Sequence, residues 1–358
     1  LKPAYAEAYN NLGLMIKELD RLSEAETSFK KAIDLKPDFA EAYFNLGVTQ
    51  QELERLGEAE TSFKKAISLK PDFAEAYFNL GVTQQELGQL VKAEESYTKA
   101  INLKSDYAEA FNNLGVILQE LSRLGEAEES FEQAINLKPK YTEAFYNLGN
   151  TLKELSRLDE AEKSYRQAIA LKPDYAEAFN NLGVMFQELH RLSDAEKNYR
   201  QAIAFKPEYS SAKHMLAALT GETTTTAPQD YIEVLFDSFA AKFENSLIKR
   251  LEYKIPKIIA EILIKDNKLD SLGSISDLGC GTGLFGAEIK QVCEHLEGVD
   301  LSEVMLAKAK QKNVYNKLIK QDITAYLSNA KLNFDYFVST DVFVYIGDLS
   351  DVFRLIKS

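Results

Sequence analysis

A 34-residue period runs through residues 6–209 and leaves this part of the chain few folds to choose from. Gly13, Gly47, Gly81, Gly115, Gly149 and Gly183 recur at that spacing, each after Asn-Leu. Pro37, Pro71, Pro139, Pro173 and Pro207 hold the same register, with Ser105 the one gap. Ala25, Ala59, Ala93, Ala127, Ala161 and Ala195 do likewise, and each precedes by four residues an aromatic: Phe29, Phe63, Tyr97, Phe131, Tyr165 or Tyr199. A unit of this length is one supersecondary element that cannot bury its apolar face alone, so neighbouring copies must stack.

Each copy reads as two amphipathic helices. In the fifth, Phe145, Leu148, Gly149 and Leu152 fall on one face at helical spacing. The recurring glycine and alanine let the two helices approach, and Lys-Pro ends the second because the residue before proline is pushed out of the helical region. The pattern resembles the tetratricopeptide repeat over all six copies. That resemblance implies an all-α, right-handed superhelix with the first helices lining its concave side.

At about 100° per residue, the second, sixth, ninth and thirteenth positions of each copy form a stripe away from the packed face, expected to meet water or a ligand. They read Glu7, Asn11, Leu14 and Glu18 in the first copy and Glu177, Asn181, Val184 and Glu188 in the last. The sixth position is always asparagine: Asn11, Asn45, Asn79, Asn113, Asn147 and Asn181. An amide offers a donor and an acceptor together, as a peptide backbone does, so the row is a candidate holder of an extended protein segment. The flanking glutamates would favour a segment bearing Lys or Arg. Residues 35–53 and 69–87 are identical, so simple inheritance through duplication also accounts for the recurrence.

The period fades after Pro207. Ala212, Met215, Leu216 and Leu219 suggest a capping helix, which sets the repeat domain at 1–221, followed by a linker at 222–230 and a second domain over 231–358. The net charge is −13 and both domains are acidic, which disfavours nucleic acid, since binding there is driven by cationic counterion release. No run of about 18 uncharged apolar residues is present to span a membrane. Two cysteines, Cys280 and Cys293, and no signal-peptide pattern fit a reducing cytoplasm.

The second domain alternates strands and helices, the pattern of a doubly wound parallel sheet. A strand Ser274–Leu278 runs into Gly279-Cys280-Gly281-Thr282-Gly283 and a helix from Leu284; strands ending at Asp300, over Lys317–Asp322 and over Phe334–Thr340 follow. Gly281 to Gly286 also fits the dinucleotide fingerprint, with Asp300 near the distance expected of a ribose-binding carboxylate. Asp277 decides between the ligands. A carboxylate two residues before the glycine turn would repel a pyrophosphate, whereas S-adenosylmethionine lacks phosphate and carries an ammonium and a sulfonium.

Here the sequence resembles class I S-adenosylmethionine-dependent methyltransferases. Asp277-Leu-Gly-Cys-Gly-Thr-Gly283 is similar to their first motif, Gly298-Val-Asp-Leu-Ser302 to the second and Gln321-Asp-Ile323 to the third. The resemblance implies that Asp277 and Gly279, Cys280, Gly281 and Gly283 hold the methionine moiety, that Asp300 meets the ribose with Leu301 also in the cofactor site, and that Asp322 and Ile323 meet the adenine. Phe236-Asp-Ser-Phe-Ala240 and Thr340-Asp-Val-Phe-Val-Tyr-Ile-Gly-Asp-Leu349 resemble a bacterial subgroup that fuses tetratricopeptide repeats to such a domain. Cys280 reads as a small turn residue rather than a nucleophile, and no His, Cys and carboxylate set has metal spacing.

Methyl transfer needs an in-line nucleophile more than acid–base machinery. Asp341, at the end of the fourth strand, is the candidate to orient an acceptor or take its proton, although Thr340-Asp-Val-Phe343 departs from the Asn/Asp-Pro-Pro-aromatic signature of enzymes that methylate planar nitrogens. Leu1 stands within the Leu-Lys-Pro that closes later copies, and Ser358 falls inside the helix expected after the fourth strand, so the domain is expected to be partial and the chain cut at both ends. Two functions remain open: a methyltransferase whose repeats recruit a protein, or a repeat scaffold whose nucleotide-binding domain is not catalytic.

Overall fold

The computed structural model describes residues 4–221, 232–233, 235–237, 253–266, 271–329, 332–340, 342 and 349–357. The linker at 222–230, Phe239 and Asp341 lie outside the described residues, as does most of the motif running to Leu349. By its internal contacts the chain divides into two compact units, Leu1–Phe205 and Lys206–Ser358.

The first unit is six helix pairs: α1 (Ala4–Glu18) and α2 (Leu22–Leu35), α3 (Ala40–Glu52) and α4 (Leu56–Leu69), α5 (Ala74–Glu86) and α6 (Leu90–Leu103), α7 (Ala108–Glu120) and α8 (Leu124–Leu137), α9 (Thr142–Glu154) and α10 (Leu158–Leu171), and α11 (Ala176–Glu188) and α12 (Leu192–Phe205). The recurring glycine has a concrete role. A Cβ on Gly115 would lie 2.6 Å from Cε1 of Phe131, whose ring is fully buried and has nowhere to move. Phe29, Phe63, Tyr97, Tyr165 and Tyr199 occupy the same place in their own copies.

Each second helix stops at a Leu or Phe, and the lysine that follows leaves the helical region, with φ −142° at Lys36. Lys104 adopts φ −137° although Ser105, not proline, comes next. Proline therefore reinforces a stop that stacking already imposes. First helices also touch their counterparts one repeat along, α1 on α3, α3 on α5, α5 on α7, α7 on α9 and α9 on α11, which puts them on the tighter, concave side of the superhelix.

In the second unit, α13 (Ser210–Thr220) ends on Gly221 in a left-handed conformation, a common helix stop. This helix, expected to cap the repeats, groups with the second unit. Then follow α14 (Ile255–Asp266), β1 (Ser274–Leu278), α15 (Leu284–Ile289), β2 (His295–Asp300), α16 (Glu303–Gln311), β3 (Lys317–Lys320), α17 (Ile323–Leu327), β4 (Tyr336–Val338) and α18 (Ser350–Lys357). The strands are parallel in the order β3-β2-β1-β4. Chain order therefore reverses direction between β1 and β4, which makes their carboxyl ends the topological switch point.

Apolar side chains line both faces of the sheet. Ile275 and Leu296 pack with Ala260 of α14 and Phe285 and Ile289 of α15 on one face. Leu278 and Val299 pack with Ile323, Tyr326 and Leu327 of α17 and Val352 of α18 on the other. Strands β3 and β4 are shorter than the sequence pattern suggested, since pairing ends at Lys320 and Val338.

Candidate functional site

Three carboxylates converge where the glycine turn meets the sheet. Asp277, on β1, is fully buried. The Tyr315 hydroxyl donates to its Oδ2 at 2.6 Å, while its Oδ1 has no partner. Burial pushes the Asp277 carboxyl up to about 7, against the Tyr315 hydrogen bond and with help from Asp300. Asp300, at the end of β2, accepts from the amide of Gly281 at 2.8 Å and from that of Ser302 at 2.9 Å. Burial also raises its pKa, the amides oppose that rise, and Asp237 adds to it. Asp237 itself accepts a 2.5 Å hydrogen bond from the Ser302 hydroxyl.

Between these carboxylates runs the turn. Gly279, Gly281 and Gly283 all have positive φ, at 73°, 52° and 83°. Gly279 lies against Val342, whereas a Cβ on Gly281 would meet nothing within 4 Å, so the turn opens on free space there. Beneath it the Tyr315 ring fills the room that Gly283, Gly286 and Gly298 leave, and a Cβ on Gly286 would come within 2.5 Å of the ring's Cζ. Thr282 Oγ1 and Ser339 Oγ are buried without partners, as is Asp277 Oδ1. Three orphaned polar atoms at a switch point are what a polar ligand would satisfy.

Cys280 is buried in the turn, where burial, Asp277 and Asp300 all push its pKa well up and keep it a thiol. Leu301 follows Asp300 at the end of β2. Asp322 caps α17, its Oδ1 accepting from the Ala325 amide at 3.0 Å, and Ile323 beside it is buried. The structure thus brings Asp277, the glycines, Cys280 and Asp300 together, and gives Asp322 a structural bond of its own. Tyr315 and the contact between Asp237 and Ser302 escaped sequence reasoning. Tyr315 belongs to no motif, although the glycines at 283, 286 and 298 require a bulky neighbour.

In the groove the expected open stripe needs correction. Asn11 is exposed, but Asn45, Asn79, Asn113, Asn147 and Asn181 are half-buried and hydrogen-bonded inside the array. Asn45 donates to Asn10 at 2.9 Å and Asn147 to Asn112 at 3.1 Å, both across to the preceding repeat. Asn181 donates to Asn150 at 2.8 Å and to the Tyr146 hydroxyl at 3.1 Å. Asn113 donates to the Tyr97 hydroxyl at 3.4 Å, and Asn79 to the carbonyl of Glu75 at 2.8 Å. For Asn45, Asn147 and Asn181 the cause is the curvature itself, since first helices on the concave side come close enough for one repeat's amide to reach the preceding one. Several glutamates are also compensated: Glu41 by Lys70, Glu109 by Lys138, Glu52 by Lys17 and Glu188 by Lys153.

Comparison with known proteins agrees with both halves. Family models described as TPR repeat or tetratricopeptide repeat match residues 15–54, 52–88, 74–107, 108–141, 130–163, 149–190 and 176–206. A model described as methyltransferase domain matches residues 275–358. No curated protein matches the chain. Among solved structures, the chain is similar to Pseudomonas aeruginosa PilF, at 19% identity and TM-score 0.54 over 60% of this chain and 98% of that one. It is also similar to PilW, a type IV pilus biogenesis factor, at 20% identity and TM-score 0.53 over 59% and 98%. YrrB, a TPR protein with an unusual peptide-binding site, aligns at 26% identity and TM-score 0.46 over 52% and 96%. The chain belongs to the tetratricopeptide-repeat proteins and carries a methyltransferase domain behind its repeats.

Proposed function

We propose that the second unit binds S-adenosylmethionine and moves its methyl group to an acceptor on, or brought by, a protein held in the repeat groove. The observation that carries the cofactor reading is Asp277, a buried carboxylate with one oxygen unpartnered beside an open glycine turn. With Asp300 and Asp237 nearby it makes a site suited to a cation and hostile to a pyrophosphate. Asp277 would meet the donor's positive charge, and the backbone at Gly279, Cys280, Gly281 and Gly283 would admit its methionine end.

Each oxygen of Asp300 has a second lone pair beyond the amide it already accepts, so it can still receive ribose hydroxyls. Leu301 and Ile323 would flank the sugar and the base, with Asp322 reaching the adenine from the start of α17. When bound, the donor supplies an electrophilic methyl on sulfur. The chain's own task is orientation, which is worth roughly 7–11 kcal/mol of such a barrier. Asp341 remains the candidate for orienting the acceptor.

The groove would hold an extended segment bearing Lys or Arg, drawn by the acidic side chains that recur along it. Two unpaired thiols, Cys280 and Cys293, suit a reducing, cytoplasmic setting. Among the described residues no helix is long and apolar enough to cross a membrane.

The test of the cofactor reading is calorimetry with S-adenosylhomocysteine and NAD in parallel. Binding of S-adenosylhomocysteine alone is expected. Binding of NAD with no response to S-adenosylhomocysteine would overturn the reading.

A further inference from the structure

We infer that Tyr315 is a positioning residue for the methyl donor: its hydroxyl favours the ionised form of the Asp277 carboxylate and turns it so that the free oxygen faces the donor's positive charge. The inference rests on the S-adenosylmethionine reading above and names a residue that none of the three motifs contains.

Its geometry is specific. Tyr315 stands between α16 and β3, and its ring is wedged among Gly283, Gly286 and Gly298, where an added Cβ on any of them would come within about 3 Å of a ring atom. That packing fixes the ring, and the ring fixes the hydroxyl 2.6 Å from Asp277 Oδ2. A phenol that donates to one carboxylate oxygen favours the charged form and decides which oxygen is left over. Here Oδ1 is left over, buried and without a partner. Tyr315 cannot itself lose its proton in the neutral range, because burial and the adjacent Asp277 push its pKa far up.

Several groups act on Asp277 from the elements packed around it. Asp300 on β2 disfavours its charge, and Asp237 acts in turn on Asp300. Cys280, in the turn, is a neutral thiol. Tyr315 is the hydrogen-bond donor that Asp277 has among the described residues. With the carboxyl near 7, about half the unloaded protein would be ionised at neutral pH, so a modest push decides whether the site is charged.

The variant Tyr315→Phe keeps the ring and removes the hydroxyl. If the lost bond raises the Asp277 pKa by about one, the ionised fraction at pH 7 falls roughly fivefold, with each pKa unit worth about 1.36 kcal/mol. The full chain and Tyr315→Phe are each titrated with S-adenosylmethionine by calorimetry from pH 6 to pH 9. Carbon NMR of labelled aspartate follows the Asp277 carboxyl in the unloaded protein, assigned with Asp277→Asn. Affinity about fivefold weaker at pH 7, converging on the parent near pH 9, with the carboxyl titrating higher in the variant, is the expected result. The ligand's own titration is common to both proteins and cancels.

A merely structural role for Tyr315 would give a loss independent of pH and an unchanged carboxyl titration, and that result overturns the inference while leaving the cofactor reading intact. If the unaltered chain binds no S-adenosylmethionine at any pH, the cofactor reading fails and the donor-facing role falls with it. The NMR titration then still reports whether the phenol and the carboxyl are paired.

Discussion

Replacing Asp300 separates a residue that only touches a ligand from one that also builds the site. Its two oxygens accept from the amides of Gly281 and Ser302 at 2.8 and 2.9 Å, so the carboxylate ties the glycine turn to the start of α16. Hydrogen bonds to a charged acceptor contribute about 1.5–3 kcal/mol each when buried. Asp300 is only partly buried, and water can replace part of what is lost, which puts the pair together at about 1.5–3 kcal/mol in Asp300→Ala. The ribose contacts would go as well, and a loss of about 1.4 kcal/mol is already tenfold in affinity. Cys280→Ala is the reference. The Cys280 thiol makes a long contact, 4.0 Å to the Gly281 carbonyl, and its removal should cost under about 1.5 kcal/mol. Urea unfolding and calorimetric titration with S-adenosylhomocysteine are run on both variants and on Asp300→Asn, which keeps one acceptor. Asp300→Ala should lose more than Cys280→Ala in both assays, with Asp300→Asn between them. Equal losses in the two alanine variants would refute the placement of the ribose, and an affinity loss with unaltered unfolding would show that the two amide bonds hold nothing.

In the groove, Asn79, Asn113 and Asn147 replaced together by Ala should weaken binding of an extended basic peptide and also lower stability by about 1.5–4.5 kcal/mol. Three half-buried hydrogen bonds are removed, each worth about 0.5–1.5 kcal/mol. A triple variant that unfolds like the parent would mean these bonds are idle, and one that binds the peptide normally would reduce the recurring asparagine to inheritance. For Asp277→Asn the expectation reverses with pH. A carboxyl raised in the folded protein adds stability that is complete below its unfolded pKa near 4 and is lost as pH rises toward about 7, at most about 1.4 kcal/mol per pH unit. The parent should therefore lose stability between pH 4 and pH 7 relative to Asp277→Asn, and parallel stability curves for the two would refute a buried, strained carboxylate.

Most of the repeat architecture was legible because its determinants are local and repeated. Gly13 and Phe29, or Gly149 and Tyr165, lie within one unit and recur in register, so the pattern exposes the contact. The strand, turn and helix around Asp277 were legible for a related reason, since Gly279, Gly281 and Gly283 mark left-handed backbone that few other residues adopt. What stayed hidden depends on distance in sequence. Tyr315 reaches Asp277 across 38 positions with no periodicity to announce it. The asparagine bonds were hidden differently: the helical wheel of a single helix gives the direction of Asn147 but says nothing of how close the preceding first helix comes, and curvature decides whether the amide faces water or Asn112.

The same curvature makes the groove's charge uneven in a way the bare stripe does not suggest. The thirteenth-position glutamates of the second, fourth, fifth and sixth copies each reach the twelfth position of the preceding repeat. Lys17 occupies that place for Glu52, at 2.7 Å, and Lys153 for Glu188, at 3.1 Å, so these two are neutralised from within. In the middle the place is held by glutamine. Gln119 donates to Glu154 at 2.9 Å, Gln85 hydrogen-bonds Glu120, and Gln51 stands in the corresponding position for Glu86. An amide satisfies the hydrogen bond and leaves the negative charge. Burial already pushes the Glu120 carboxyl upward, which marks a carboxylate short of positive company. Glu120 thus keeps its charge where Glu52 and Glu188 meet a lysine, and a cation that completes it would come from outside the array. A Lys or Arg on a bound segment gains more at Glu120 than at Glu52 or Glu188, where it would first have to displace a lysine already in place.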